Sequence, residues 1–170
     1  AEMKLKEIWA EAESANYQKT IERVFGLPVD ASYEKKARKL YVKFLQQYPA
    51  SHYRAEIETA MARIAELADD FDFSQLKNID MHDYIKRLKA CEAYLSKYPE
   101  GAHRDAVNAM IQETIHASYV AFRKNIQPCG QTKTWEECIR ICEEYAASFK
   151  PYLVLDSIRA IQIKMQSKKD

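Results

Sequence analysis

The chain has 170 residues, 47% apolar and 30% charged, with a net charge of +1 and only 3 glycines and 5 prolines. That length suffices for one domain with a real core or for a short repeat array. So few turn residues argue against sheets and barrels, and the near-neutral charge leaves no bulk electrostatic case for nucleic acid or an anionic membrane.

In chain order, residues 3–25 read as a helix with Ile8, Trp9, Ala12, Ile21, Val24 and Phe25 inward, although Ser14-Ala15-Asn16 offers a break. Gly26-Leu27-Pro28 ends it. Asp30 or Ser32 caps a second helix to Tyr48, with Tyr33, Ala37, Leu40, Tyr41, Phe44 and Leu45 in one stripe at 3–4 spacing. A third helix is expected over 52–68, with Tyr53, Ile57, Ala60, Met61, Ile64 and Leu67 inward. The carboxylates of Ala68-Asp69-Asp70-Phe71-Asp72-Phe73-Ser74 oppose the negative end of a helix dipole, so this run predicts a stop and a loop. It lacks the ligand spacing and glycine of a calcium loop.

Asp80 caps a fourth helix to Tyr98, with Tyr84, Leu88, Cys91, Tyr94 and Leu95 inward. A fifth, over 102–126, carries Val107, Met110, Ile111, Ile115, Tyr119 and Phe122 and should project past its shorter partner. Thr134-Trp135-Glu136-Glu137 is a capping box that opens a sixth helix over 135–149, with Cys138, Ile139, Cys142, Tyr145 and Phe149 inward. The seventh, 152 to about 166, uses Val154, Ile158, Ile161 and Met165, and residues 166–170 read as a polar, frayed tail.

One corner organises these helices. Phe44-Leu45-Gln46-Gln47-Tyr48-Pro49-Ala50-Ser51 returns as Tyr94-Leu95-Ser96-Lys97-Tyr98-Pro99-Glu100-Gly101, and in degraded form as Tyr145-Ala146-Ala147-Ser148-Phe149-Lys150-Pro151. Proline denies the preceding residue the α conformation and gives no amide to the ladder, so helices stop at Tyr48 and Tyr98. Ser51 then accepts from the amides that open the next helix, Gly101 takes a cap conformation, and Pro151 suits the first turn of a new helix. Tyr48, Tyr98 and Phe149 plug the junction between paired helices.

The columns Phe44/Tyr94/Tyr145, Tyr48/Tyr98/Phe149, Leu40/Ala90/Ile141, Ile57/Val107/Ile158 and Ala60/Met110/Ile161 are each separated by 50 and then 51 residues. A repeated helix pair cannot bury its apolar face alone and must stack on neighbours. The expected architecture is therefore all-α: one helical-repeat domain over 1–170, with pairs at about 31–68, 81–126 and 134–167 and helix 3–25 as a cap or half repeat.

These columns and the two full corners resemble the tetratricopeptide-repeat (TPR) superfamily, and in particular its bacterial branch with a phenylalanine-leucine, tyrosine-proline, serine corner. The resemblance covers roughly 33–66, 83–116 and, less closely, 134–167, each near the ~34-residue unit. The early alanine and glycine positions of that family are not kept, and inserts stretch the period to fifty. The resemblance implies a right-handed superhelix of about seven helices whose first helices line a concave groove for a partner protein or peptide. It leaves the compartment open between bacterial cytoplasm and periplasm.

No phosphate-cradling glycine loop, metalloprotease helix or nucleophile elbow is present, so no enzyme activity, cofactor or metal is expected. The four histidines (His52, His82, His103, His116) are scattered and read as surface residues. Cys91 and Cys142 sit at matching repeat positions as small core residues; for Cys129 and Cys138 free thiols are favoured over a disulfide. A zinc site at Cys129, Cys138 and Cys142 lacks a second ligand pair nearby. Glu136-Glu137 and Glu143-Glu144 belong to a solvated face. Lys35, Lys36, Lys39 and Lys43 on the second helix and Lys86, Arg87 and Lys89 on the fourth form either a charged cradle for a partner or, the favoured reading, an ordinary solvated face. The functional expectation is a noncatalytic protein-interaction module. The alternatives are a segment that self-assembles into a homo-oligomer and a regulatory domain of a larger protein. No apolar run approaches the roughly 20 residues of a membrane span, and no signal peptide opens the chain. Its start, Ala1-Glu2-Met3-Lys4, fits a mature form or an excised piece.

Overall fold

A computed structural model describes residues 2–152 and 155–169. It is all-α: α1 (Glu2–Phe25), α2 (Tyr33–Gln47), α3 (Arg54–Lys77), α4 (Tyr84–Lys97), α5 (Arg104–Ile126), α6 (Trp135–Phe149) and α7 (Leu155–Lys169). They form tandem helix hairpins in two compact units, Ala1–Gln75 and Leu76–Asp170.

In the first unit, Tyr17 and Val24 of α1, Ala37, Tyr41 and Phe44 of α2, and Ile57 and Ile64 of α3 share one core. The inner face of α1 differs from the expected one. Ile8, Trp9 and Phe25 are exposed, as is Ala12, and Tyr17 takes the central place, stacked on Tyr53 at 3.9 Å between ring centroids. For Ile8 and Trp9 the reason is length. With 24 residues, α1 spans about 36 Å, whereas α2, with 15, spans about 22 Å. Trp9 meets Tyr48 at the end of α2, with ring centroids 6.3 Å apart, so earlier residues of α1 project past its partner. Ser14-Ala15-Asn16 does not break the helix; Asn16 Nδ2 instead donates to the Tyr48 hydroxyl at 2.6 Å.

The expected stop at 68–74 does not occur, and α3 continues to Lys77. Leu67 is exposed, while Asp69, Phe73 and Leu76 are buried and Phe71 is half-buried. A carboxylate near a helix end is worth only about 0.3–1 kcal/mol, whereas burying each of Phe73 and Leu76 returns about 1.5–3 kcal/mol. The apolar stripe therefore outweighs the acidic run.

In the second unit α4 pairs with α5, α6 pairs with α7, and α5 packs on α6. α4 begins at Tyr84, later than an Asp80 cap would place it. Asp80 instead accepts the His82 amide at 2.8 Å, just as Asp30 accepts the Ser32 amide at 2.7 Å ahead of α2. These hydrogen bonds hold both carboxyls below the usual carboxylate range: for Asp30 through the Ser32 side chain and then its amide, for Asp80 through the His82 amide and then its ring. Ser32 is the N-cap of α2 but makes no side-chain cap bond.

The two full corners match bond for bond. Tyr48 N donates to Phe44 O at 2.9 Å and Tyr98 N to Tyr94 O at 2.8 Å; Ser51 N and Gly101 N then donate to the carbonyls of Tyr48 and Tyr98, both at 3.1 Å. The backbone angles of Tyr48 (φ −126°, ψ 73°) and Tyr98 (φ −124°, ψ 68°) agree, as X-Pro geometry requires. The Ser51 hydroxyl accepts the Tyr53 amide at 3.1 Å, as expected, but Gly101 does not use a positive φ. At the third corner the Tyr152 amide still reaches Phe149 O at 2.8 Å, while Lys150 stays helical. Pro151 lies in that turn rather than in the first turn of α7. Tyr48 and Phe149 are buried and Tyr98 half-buried.

Burial follows the fifty-residue register. Ile57, Val107 and Ile158 are 0%, 0% and 1% exposed, and the further columns Tyr41/Cys91/Cys142 and Ile64/Thr114/Met165 are buried throughout. Thr114 and Ser118 are buried polar positions that apolar periodicity alone does not mark; Thr114 Oγ1 donates to Met110 O at 2.6 Å, and the Ser118 and Tyr145 hydroxyls lie 3.0 Å apart. Val154, expected on the inner face, lies outside the described residues. α7 runs on to Lys169, through most of the expected frayed tail.

Cys91 and Cys142 are free and buried, and burial raises both thiols above their ordinary pKa. A thiol reagent added to the native protein should therefore label neither at an appreciable rate, and denaturant should expose both. Rapid labelling of the native chain would contradict the packing of α4 or α6.

Candidate functional site

The sequence places Trp135 directly after the capping threonine of α6, and both halves of the box form. The Glu137 amide donates to Thr134 Oγ1 at 3.2 Å, and the Thr134 amide donates to Glu137 Oε2 at 2.9 Å. Thr134→Ala should lower stability by about 1 kcal/mol, measured by urea denaturation; no change would mean that the loop, not the box, sets the start of α6.

That loop is wound tightly. The carbonyl of Pro128 accepts the amides of Gln131, Thr132 and Lys133 at 3.1–3.2 Å, and the Gly130 amide donates to Lys133 O at 2.9 Å. Lys133 Nζ reaches back to the Asn125 carbonyl at 2.9 Å and to its side-chain oxygen. Gly130 has φ 76° and lies against the Trp135 ring. Cys129 and Cys138 form a disulfide, which corrects the expectation of free thiols. The turn folds the chain back until their Cα atoms are 6.1 Å apart, a separation a disulfide spans readily. Neither sulfur is then a thiolate ligand for the zinc arrangement considered above.

α5 has 23 residues against 14 in α4, so its C-terminal part runs past its partner. There Phe122 and Ile126 share a core with Cys138, Cys142, Ile158 and Met165. Above this core opens a cleft of about 710 Å³. One wall is the α5 stripe His116, Tyr119, Val120, Arg123, Lys124 and Gln127, and the other is the α7 stripe Ile161, Lys164, Met165 and Lys168. Both follow the 3–4 spacing of a single helix face. Trp135 and Cys129 close one end, with Lys168 Nζ 5.7 Å from the Trp135 ring centroid. Among the described residues, four cations and no carboxylate line the cleft. Arg123, Lys124, Lys164 and Lys168 are all exposed.

The lysines and arginine singled out from the sequence lie elsewhere. Lys36, Lys39 and Lys43 are exposed on α2 of the first unit, where Lys36 Nζ sits 3.6 Å from Asp30. Lys86 and Arg87 begin α4 of the second unit; Lys86 is exposed, while Arg87 is half-buried with its Nε buried and without a hydrogen-bond partner. None of the five lines the α5–α7 cleft. The cleft has a sequence signature in the two mixed apolar and basic stripes, each free of acids, on α5 and α7. Apolar periodicity alone assigns Tyr119, Ile161 and Met165 to the core and leaves Val120 unassigned, so it does not mark the cleft. A second, smaller cleft in the first unit, about 460 Å³, is lined by Val24, Tyr33, Tyr41 and Ile64 with exposed Phe25 and Leu67 at its edge, and has mixed charge.

Among the described residues no helix is long and apolar enough to cross a membrane, and no group of three or more His, Cys, Asp or Glu is placed to hold a metal ion. Comparisons of the chain with family models, with curated proteins and with solved structures return no match.

Proposed function

We propose that this chain is a noncatalytic protein-interaction module of the tetratricopeptide-repeat kind, which holds a partner protein or peptide on its helical surface. The observation that carries the interaction reading is the open α5–α7 cleft: apolar at its floor, cationic at its rim and backed by a disulfide-tied loop. It lies on the second helices of their pairs and not on the first helices that the resemblance implies. Pockets of ~300–1,000 Å³ with an apolar lining and a few polar groups are the usual shape of small-ligand sites, and one of this size can seat a side chain of a bound peptide. The four cations that line the cleft are exposed, whereas acid–base catalysis draws on desolvated groups. The matched corners and the shared fifty-residue burial register support the family reading.

The test is a photo-crosslinking residue at Val120, on the wall of the cleft, in the source cell, with Glu66 as an exposed control position in the first unit. A protein adduct specific to position 120 is expected; identical adducts from both positions, or none, would contradict the reading.

Self-assembly is the second reading, favoured by the exposed apolar residues Leu5, Ile8 and Trp9 of α1. Light scattering over a concentration series separates the two, since only a self-assembling segment gains mass as concentration rises.

A further inference from the structure

We propose that the α5–α7 cleft takes an acidic peptide segment carrying one bulky apolar side chain, with the acidic groups on the cationic rim and the apolar group on the floor beside Trp135. This rests on the interaction-module reading and names the chemistry of its partner.

Charge complementarity is the first support. Arg123 and Lys124 on one wall face Lys164 and Lys168 on the other, and no carboxylate among the described residues lines the space between them. Some exposed cations on other helices have an acidic neighbour one turn away: Arg38 meets Glu34 at 3.4 Å, Arg54 meets Glu58 at 3.8 Å and Arg140 meets Glu144 at 3.1 Å. Among the described residues none of the four rim cations makes such a pair. Cations gathered with nothing to neutralise them repel one another, and a ligand bearing carboxylates relieves that repulsion.

The floor gives the second requirement. Ile126 and Met165 are buried yet reach the cleft, Val120 and Ile161 flank them, and Trp135 forms the end wall. A purely ionic ligand would leave this apolar surface wet. An anchor side chain set against Trp135 and Met165 covers it, and methionine adapts to varied anchors. The rigid loop behind Trp135 fixes the ring before a ligand arrives, which reduces the ordering cost of binding.

A nucleic-acid strand suits the site less well. Such sites track a phosphate backbone along a basic groove and offer successive aromatic platforms for bases, whereas this floor is mainly aliphatic.

The experiment is fluorescence anisotropy on the full chain with labelled short peptides rich in Asp and Glu. One carries a central leucine, one has alanine there, and one replaces the acids with lysine; a single-stranded oligothymidylate is the fourth probe. The leucine peptide should bind most tightly, and weaken severalfold with alanine at the anchor or when salt rises from about 0.05 M to about 0.5 M. Arg123→Glu with Lys168→Glu should weaken it about fivefold or more, with the helical circular dichroism unchanged, since both side chains are exposed. Trp135→Phe keeps an aromatic wall and should retain most of the affinity.

Equal binding of the acidic and lysine peptides, unchanged binding by the doubly reversed variant, or tighter binding of the oligonucleotide would overturn the proposal. Protein adducts at position 120 without acidic-peptide binding would overturn this partner chemistry alone. Loss of both would overturn the module reading as well.

Discussion

Ile57→Ala and Ile158→Ala should each destabilise the protein by about 2–5 kcal/mol, and by similar amounts. The two residues sit at the same place in the repeat, early in the second helix of their hairpins, and are 0% and 1% exposed. Truncation at either position removes the same methyl and methylene groups from a closed core and leaves a comparable void. The surrounding rings of Tyr41 and Phe44 in the first unit, and of Phe122 and Tyr145 in the second, are large and held by several contacts, so neither site collapses readily. Ile8→Ala is the control: Ile8 is 61% exposed on the projecting part of α1, and its truncation should cost no more than about 0.5 kcal/mol. Urea denaturation gives all three values. A small loss at Ile57 or Ile158, or a loss at Ile8 matching theirs, would contradict the repeat register.

Gly130→Ala should cost at least about 2 kcal/mol, because two penalties act together. The backbone φ of 76° places an alanine in the left-handed region, worth roughly 1–2 kcal/mol against it. A Cβ there would also stand 2.3 Å from Trp135 Cζ2 and 2.9 Å from two further ring atoms, so the indole must move. Forcing an extra carbon into packed space costs about 1–3 kcal/mol. Because Trp135 is the end wall of the cleft, peptide affinity should fall with stability. Gly26→Ala is the matched control. Its Cβ would meet nothing closer than Glu22 O at 3.4 Å, and its φ is not positive, so stability should be unchanged or rise by up to about 1 kcal/mol. Equal effects at the two glycines would show that the loop does not hold Trp135 in place.

Much of the architecture is legible in the sequence, for local reasons. Proline after Tyr48 and Tyr98 forces the helix stop, and the Thr134–Glu137 box fixes the start of α6, so these boundaries hold. Where two signals compete, magnitude decides. The acidic run at 68–74 promises a stop, but the buried stripe through Phe73 and Leu76 is worth more and carries α3 onward. On α1, periodicity marks Ile8 and Trp9 as apolar, yet only the length of α2 determines how far along α1 a partner exists to cover them.

The candidate site was harder to read for a related reason. A stripe such as Tyr119–Val120–Arg123 or Ile161–Lys164–Met165 carries the same spacing whether it is core or cleft. What separates the two is how α5 and α7, distant in sequence, come together around one core, and the turn that ties Cys129 to Cys138, where the sequence favours free thiols. The lysines of α2 and α4 drew attention as runs of charge, whereas the cations of the cleft are split between two helices about forty residues apart and make no run in the sequence.

Chemical-shift mapping of the isotope-labelled chain with the leucine-bearing acidic peptide tests the central claim most directly. The account predicts perturbed amides along 116–127, around Trp135 and along 161–168, with α2 silent. Shifts centred on Lys36, Lys39 and Lys43, or no shifts at saturating peptide, would contradict it.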